Sequence, residues 1–402
     1  MKTEALYIWL QQSIGLCNRV AYDVLSRFDN IVDVYNCNDF SFLGDKKNKY
    51  VDRLERKDVS DALEVLKKCN ALGVHIIGYY DEFYPDRLRR LDAPPVALYA
   101  IGQVRNLNNC PCIAIVGTRK MTDYGRATAE KFAYTFAKSG AYVISGLAKG
   151  VDTAAHRGAV MADGYTIAVL GNPIGEIYPR ENEKAFETLY ERGLVISEMY
   201  PGAPRTRADF PNRNRIISGL SDTVVVAEAG ANSGALITAR YAINQGKTVF
   251  AVPGAIGAEN AGTNSLIKTG VPVATEPYDV LGPLALEYPK AIHPYEPSLT
   301  ENLRSYGNAI NKQPKIKKAK AENIAESKPI WDMPEPKQEE NLSGDNAKRI
   351  LDALKGRVPL TADELSSRLR IPVSEVMTEL TLMEIDGSVI ASVGGRYISS
   401  KY

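Results

Sequence analysis

One stretch, Phe210-Pro211-Asn212-Arg213-Asn214-Arg215-Ile216-Ile217, gathers residue types suited to a phosphate chain carrying bases. Guanidinium groups match phosphate oxygens in planar pairs, and an aromatic ring three residues before the first arginine can stack on a base. The same stretch also fits a helix start whose arginines pair with carboxylates of their own fold. The surrounding loops favour the first reading. Gly117-Thr118-Arg119-Lys120, Ser145-Gly146-Leu147-Ala148-Lys149-Gly150, Gly171-Asn172-Pro173-Ile174-Gly175 and Glu228-Ala229-Gly230-Ala231-Asn232-Ser233-Gly234 each follow a short apolar run. Glycine in such loops lets backbone N–H groups approach a phosphate, and the dipole of a following helix adds to the attraction. Arg119, Lys149, Arg205, Arg207, Arg213 and Arg215 supply cations.

Other chemistries find less support. The chain has no GxxxxGK[ST] and no well-placed GxGxxG with a ribose-binding acid, which disfavours a nucleotide triphosphatase or a dinucleotide oxidoreductase. Asp152 and His156 stand four apart on one expected helix and read as a helix-start cap and a packed or hydrogen-bonding histidine. Glu228 has no second carboxylate or nucleophile suggested beside it. No metal site and no cofactor are expected. The five cysteines, Cys17, Cys37, Cys69, Cys110 and Cys112, are scattered and form neither a disulfide framework nor paired zinc ligands, which suits a reducing cytoplasm. No signal peptide or membrane span is read. The formal net charge of +1 over 402 residues means that any nucleic-acid surface must come from local clustering.

These loops need a scaffold that brings them to one edge. The runs Cys112–Val116, Ala141–Ile144, Tyr165–Leu170, Leu194–Ser197, Thr223–Ala227 and Thr248–Val252 are rich in β-branched residues and alternate with helical stretches. That pattern predicts a doubly wound α/β domain with a mostly parallel sheet, whose loops collect at the carboxyl ends of the strands. Residues 1–80 read as a helical domain, with apolar spacing over Glu4–Gln12, Asn18–Phe28, Val51–Arg56 and Ser60–Leu72. Residues 81–283 form the α/β domain. Residues 284–342 read as a flexible linker, rich in proline and carrying Lys312, Lys315, Lys317, Lys318 and Lys320. Residues 343–402 have the order of a winged helix, with Thr361-Ala362-Asp363-Glu364 as a capping box. Its expected third helix, Val373 to Asp386, holds four acids and no base, which argues for protein contact over duplex reading.

The central region closely resembles the DNA-processing protein A (DprA, also called Smf) family of bacteria. The resemblance rests on Ile115-Val116-Gly117-Thr118-Arg119, Ser145 to Asp152 with Ala155-His156, Tyr178-Pro179-Arg180-Glu181-Asn182, Phe210 to Ile217, Ser233 to Ala239, and Pro253-Gly254 with Gly262-Thr263-Asn264. It implies an extended Rossmann-like fold with a SAM-like N-terminal domain and a C-terminal winged helix. It further implies a cytoplasmic, non-enzymatic, single-stranded DNA-binding protein of natural transformation that protects incoming DNA and helps load the RecA recombinase. DNA contacts carry over to Gly117, Thr118, Arg119, Arg207, Phe210, Asn212 and Arg213. Ser145, Gly146 and Lys149 are a possible phosphate loop, and a homodimer is implied near Leu266 and Ile267. Two rivals stay open: a nucleotide N-glycosidase on the same fold, whose glycine-rich hallmark is replaced here by Glu228 to Gly234, and a winged-helix reader of duplex DNA.

Overall fold

The computed structural model describes residues 2–44, 48–293, 295, 343–354, 360–371, 376, 379–380, 383, 388–392 and 396–399. The chain divides into two compact units, Met1–Lys312 and Gln313–Tyr402.

In the first unit, helices α1 (Thr3–Ile14), α2 (Val20–Leu25), α3 (Ile31–Asn36), α4 (Asn48–Arg56) and α5 (Ser60–Ala71) lead into strand β1 (His75–Gly78), helix α6 (Asp86–Arg89) and strand β2 (Ala97–Gly102). Then strand and helix alternate: β3 (Cys112–Gly117), α7 (Asp123–Lys138), β4 (Tyr142–Ser145), α8 (Val151–Met161), β5 (Thr166–Leu170), α9 (Glu183–Arg192), β6 (Leu194–Ser197), α10 (Asp209–Leu220), β7 (Thr223–Glu228), α11 (Ala235–Asn244) and β8 (Thr248–Ala251). Helices α12 (Ala261–Lys268) and α13 (Pro277–Glu287) follow. The sheet runs β1-β2-β6-β5-β4-β3-β7-β8. From β6 to β8 every pairing is parallel, as the alternating pattern predicts. Strands β1 and β2, which the sequence reading did not mark, extend the sheet antiparallel to each other and to β6.

The strands bury both faces. In β3, Cys112, Ala114 and Val116 join one core cluster while Ile113 and Ile115 join the other; in β7, Val224 and Val226 oppose Val225 and Ala227. This is the two-residue alternation of a strand packed on both sides. The first cluster takes in the N-terminal helices, so α1 to α5 and the sheet share one core. Gln11 fixes that junction, donating to the Glu198 carbonyl at 2.5 Å and accepting from the Tyr99 hydroxyl at 2.6 Å. The start of the expected linker packs too: α13 runs to Glu287, and Leu284 and Ile292 are buried in the second cluster. The lysine cluster and most of that segment lie outside the described residues.

Strand order reverses between β3 and β7, since β3 leads through α7 to β4 on one side while β7 and β8 lie on the other. A crevice at the carboxyl end of such a sheet is the expected ligand site. Helix α7 is anchored at its edge. Thr122 caps the helix by accepting from the Gly125 amide at 3.1 Å, and the buried Glu228 carboxylate accepts from the Thr122 amide at 2.9 Å. Negative charge at a helix start is favourable. A Cβ at residue 125 would collide with that carboxylate. Gly125→Ala should therefore destabilise the protein by about 1–3 kcal/mol, read as a lowered midpoint in urea unfolding.

The second unit has helices Ser343–Leu354 and Ala362–Leu369 and a three-stranded antiparallel sheet built from Leu360–Thr361, Val389–Ser392 and Arg396–Ser399. The capping box is formed: Thr361 Oγ1 accepts from the Glu364 amide at 3.2 Å, and the Glu364 carboxylate accepts from the Thr361 amide at 2.8 Å. Ile350, Leu354, Leu360, Leu365, Val376, Leu380 and Val389 are among the residues of its own core. Of the expected third helix, residues 376, 379–380 and 383 are helical and the rest lies outside the described residues.

Candidate nucleic-acid interface

The loop after β3 is held by backbone geometry. Thr118 donates its amide to the Glu228 carbonyl at 2.8 Å and accepts at its own carbonyl from the Val151 amide at 3.2 Å. Its hydroxyl accepts from the Lys120 amide at 3.2 Å. A Cβ on Gly117 would stand 2.6 Å from the Val151 side chain and 2.8 Å from the Glu228 carbonyl, so only glycine lets β3, β7 and α8 converge here. The result is a fixed turn from which Arg119 and Lys120 extend into solvent.

That turn borders a cleft of about 450 Å³ whose walls include Gly117, Thr118, Arg119, Lys120, Phe210 and Ser233. A second lobe of about 300 Å³ shares Arg119, Lys120, Ala148, Phe210 and Arg213, and adds Gly146, Lys149, Tyr178 and Glu181. Phe210, at the start of α10, is half-buried and stands between the lobes. Gly171 makes this possible, because a Cβ there would lie 2.9 Å from the Phe210 ring. Among the described residues Arg119, Lys120 and Lys149 have no carboxylate partner, so their positive charge is uncompensated along the cleft.

The other arginines of the motif divide differently. Arg213 is buried; its guanidinium donates to the Gly146 carbonyl at 2.8 Å, to the Val169 carbonyl, and through Nε to Asn214 Oδ1 at 3.1 Å. Burial holds its pKa down to about 10, against the pull of Asp152 and with some help from Arg119. Arg213 therefore ties α10 to the ends of β4 and β5 and contributes charge to the cleft from beneath. Arg215, counted among the available cations, is buried in an ion pair with Glu198 at 2.6 Å and donates through Nε to Cys17 Sγ at 3.2 Å. Arg205 pairs with Glu176 at 3.7 Å. Burying the Arg215 guanidinium requires such a partner, whereas the Arg205 pair is exposed.

The expected positions are only partly brought together. Gly117, Thr118, Arg119, Phe210 and Arg213 line the first lobe, and Gly146 and Lys149 the second. Arg207 is exposed and lines neither lobe. Asn212 borders a separate small cavity of about 40 Å³ beside Cys17 and Glu198. Ser145 is buried, and its hydroxyl donates to the Ile115 carbonyl at 2.6 Å, so it ties β4 to β3 and does not face the cleft. Leu266 and Ile267 lie half-buried on α12, beside the edge strand β8. Lys120 and Tyr178 are cleft residues that the sequence reading did not single out. Lys120 adjoins Arg119, and Tyr178 stands in a quoted motif, so the signal was present.

His156 behaves as a packed residue: it is buried, with Nδ1 2.7 Å from Thr166 Oγ1. Asp152 sits in the first turn of α8 and accepts from the Ala148 amide at 3.4 Å; burial raises its pKa. Burial, with Arg213 nearby, pushes the His156 pKa down to about 3 from 6.5. The folded state thus favours the neutral ring. The resulting stabilisation is complete above the unfolded pKa and is lost as pH falls from 6.5 towards 3. Stability of the native protein should fall between pH 6 and 5 by about 1.4 kcal/mol per unit more than that of His156→Gln, measured by urea titration of both.

Among the described residues there is no group of three or more His, Cys, Asp or Glu side chains able to hold a metal ion, and no helix is long and apolar enough to cross a membrane. Burial pushes the Cys112 thiol up to about 12, which leaves it unreactive.

Residues 75–285 match the family model of DNA recombination-mediator protein A, and residues 333–395 match that of the DprA winged helix domain. Protein Smf of Escherichia coli is 40% identical over 228 residues, covering 56% of this chain and 60% of its own length. DNA processing protein DprA of Streptococcus pneumoniae is 33% identical over 284 residues, covering 70% of this chain and 98% of its own. The X-ray structure of DprA from Streptococcus pneumoniae matches with a TM-score of 0.58 at 32% identity, covering 70% of this chain and 98% of that one.

Proposed function

Since the chain belongs to the DNA recombination-mediator protein A (DprA) family, we propose that its crevice binds single-stranded DNA without regard to overall sequence. The supporting observation is the pairing, in one cleft, of uncompensated cations at Arg119, Lys120 and Lys149 with a half-buried aromatic at Phe210. Cations neutralise phosphates and release counterions, while a ring accepts any base face. The Thr118 and Lys120 amides are spent within the loop, so the side-chain cations carry the phosphate contacts, and Glu228 holds the start of α7. The protein acts by binding and carries out no reaction of its own.

In this reading the protein covers DNA entering the cytoplasm during natural transformation and presents it to RecA. Two copies meet through α12 around Leu266 and Ile267. The helical N-terminal region to about residue 80 braces the α/β body, which packs on through Ile292 before a linker, and the winged helix from 343 contacts protein partners. Fluorescence anisotropy of a labelled single strand tests the binding step. Arg119→Ala should weaken binding roughly tenfold and lower the slope of log affinity against log salt by about 1. Unchanged affinity and slope would remove Arg119 from the phosphate path. Release of ribose phosphate from nucleoside monophosphates would instead favour a glycosidase.

A further inference from the structure

A separate cavity of about 240 Å³ opens at the other end of the sheet, lined by Arg87, Arg90, Asp92 and the turn from Asn244 to Lys247. The turn leads from α11 into the amino end of β8, whereas the crevice lies at the carboxyl ends of β3 and β7. The six residues of β7 put about 20 Å between the two ends. The Arg87 guanidinium is saturated: it pairs with Asp222 at 2.9 Å and donates to the Leu107 and Cys110 carbonyls and the Tyr288 hydroxyl. Asp222 also accepts from the Cys112 amide and the Tyr288 hydroxyl, so this buried pair cancels. Two cations remain. Arg90 is exposed, Lys247 is half-buried, and neither makes a hydrogen bond or ion pair among the described residues. The amides of Gln245, Gly246 and Lys247 are spent on carbonyls of α11, and Gln245 turns its Nε2 to the Arg215 carbonyl, so a ligand must be held by the two cations. Asp92, exposed and also unpaired among the described residues, leaves the cavity an excess of one positive charge. Burial lowers the Lys247 pKa from its ordinary value against the pull of Asp222, with Arg87 and Arg90 adding to the effect. A bound anion would relieve that cost.

We infer that this cavity is a second anion site, remote from the crevice, in which Arg90 and Lys247 hold one phosphate group. A guanidinium fork engages two phosphate oxygens and an ammonium acts as a point charge beside it. The excess of one positive charge matches the single negative charge of a phosphodiester or of monobasic phosphate. No aromatic ring lines the cavity, so it offers no stacking face and recognises the phosphate alone. That phosphate comes either from a strand that runs on past the crevice or from a free phosphorylated compound. The inference does not require the crevice to bind DNA.

Lysine footprinting tests this on the full chain: acetylation of individual lysines by an activated ester is followed by mass spectrometry, with ionic strength held constant by sodium chloride. Inorganic phosphate at about 10 mM should slow acetylation of Lys247 roughly threefold, as a dissociation constant of about 5 mM requires. The exposed Lys131 should keep its rate. Arg90→Ala should abolish the protection, and Asp92→Asn should strengthen it. Oligothymidines of about 6 and about 60 nucleotides separate the two sources, the shorter being no longer than an ordinary single-strand site. Protection of Lys247 by the longer oligomer assigns the phosphate to the strand's backbone, and protection by inorganic phosphate but by neither oligomer assigns it to a free phosphorylated compound. A Lys247 rate unchanged by phosphate and by the longer oligomer, or protection that survives Arg90→Ala, would overturn the site. Lys149, which lines the crevice, reports the single-strand reading separately. If neither oligomer protects Lys149 while phosphate protects Lys247, that reading fails and the second site stands.

Discussion

Arg215→Ala is expected to cost about 3–5 kcal/mol of folding stability, the scale for removing one partner of a buried ion pair. The side chains of Arg215 and Glu198 are 5% and 11% exposed and meet at 2.6 Å. Arg215 Nε also donates to Cys17, while the Glu198 carbonyl accepts from Gln11, so the pair joins α10, β6 and the N-terminal helices in one network. Alanine would leave the Glu198 carboxylate buried without its cation. Arg215→Met with Glu198→Gln should recover much of the loss, because an uncharged pair of similar size pays no desolvation of charge. Chemical denaturation of the single and double variants measures this, and hydrogen exchange in α1 should rise in the single variant. A loss below about 1 kcal/mol would mean that the pair behaves like a solvated surface pair.

Phe210→Ala should weaken single-strand binding by about 1–3 kcal/mol, or roughly fivefold to 150-fold, with little change in the salt slope. The ring is neutral, so it alters stacking and leaves the counterion count alone. Phe210→Trp should bind at least as well as the native protein. Because the ring also packs on Gly171 and Tyr178, the unfolding midpoint must be recorded for each variant. Binding by a folded Phe210→Ala protein within twofold of native would remove the stacking step. The separate responses of Arg119 and Phe210 distinguish a strand held by backbone and base from one held by charge alone.

Much of the scaffold was legible because parallel strands buried on both faces leave uninterrupted β-branched runs. The runs at Leu194–Ser197 and Thr223–Ala227 locate β6 and β7 to within a residue. Strand β1 escaped notice because four residues on a sheet edge, with His75 exposed, carry almost no pattern. The site was legible in composition but not in direction. Arg213 stands three and four residues before Ile216 and Ile217, both buried, which places it on the inward face of α10. That helical phase, read ahead of charge, would have separated Arg213 from the exposed Arg119. Ser145 had no such signal, since a hydroxyl at a strand end can serve either the sheet or a ligand. Tyr178 joins the cleft only through the fold, across more than thirty residues of sequence from Phe210.

The most direct test is photocrosslinking of the native protein to a single strand carrying 5-iodouracil, followed by mass spectrometry of the crosslinked peptides. The expected products contain Phe210 or Tyr178, from the two lobes of the crevice, and a duplex competitor should suppress them poorly. Crosslinks confined to residues 343–402, or equal suppression by duplex, would contradict the crevice as the single-strand site.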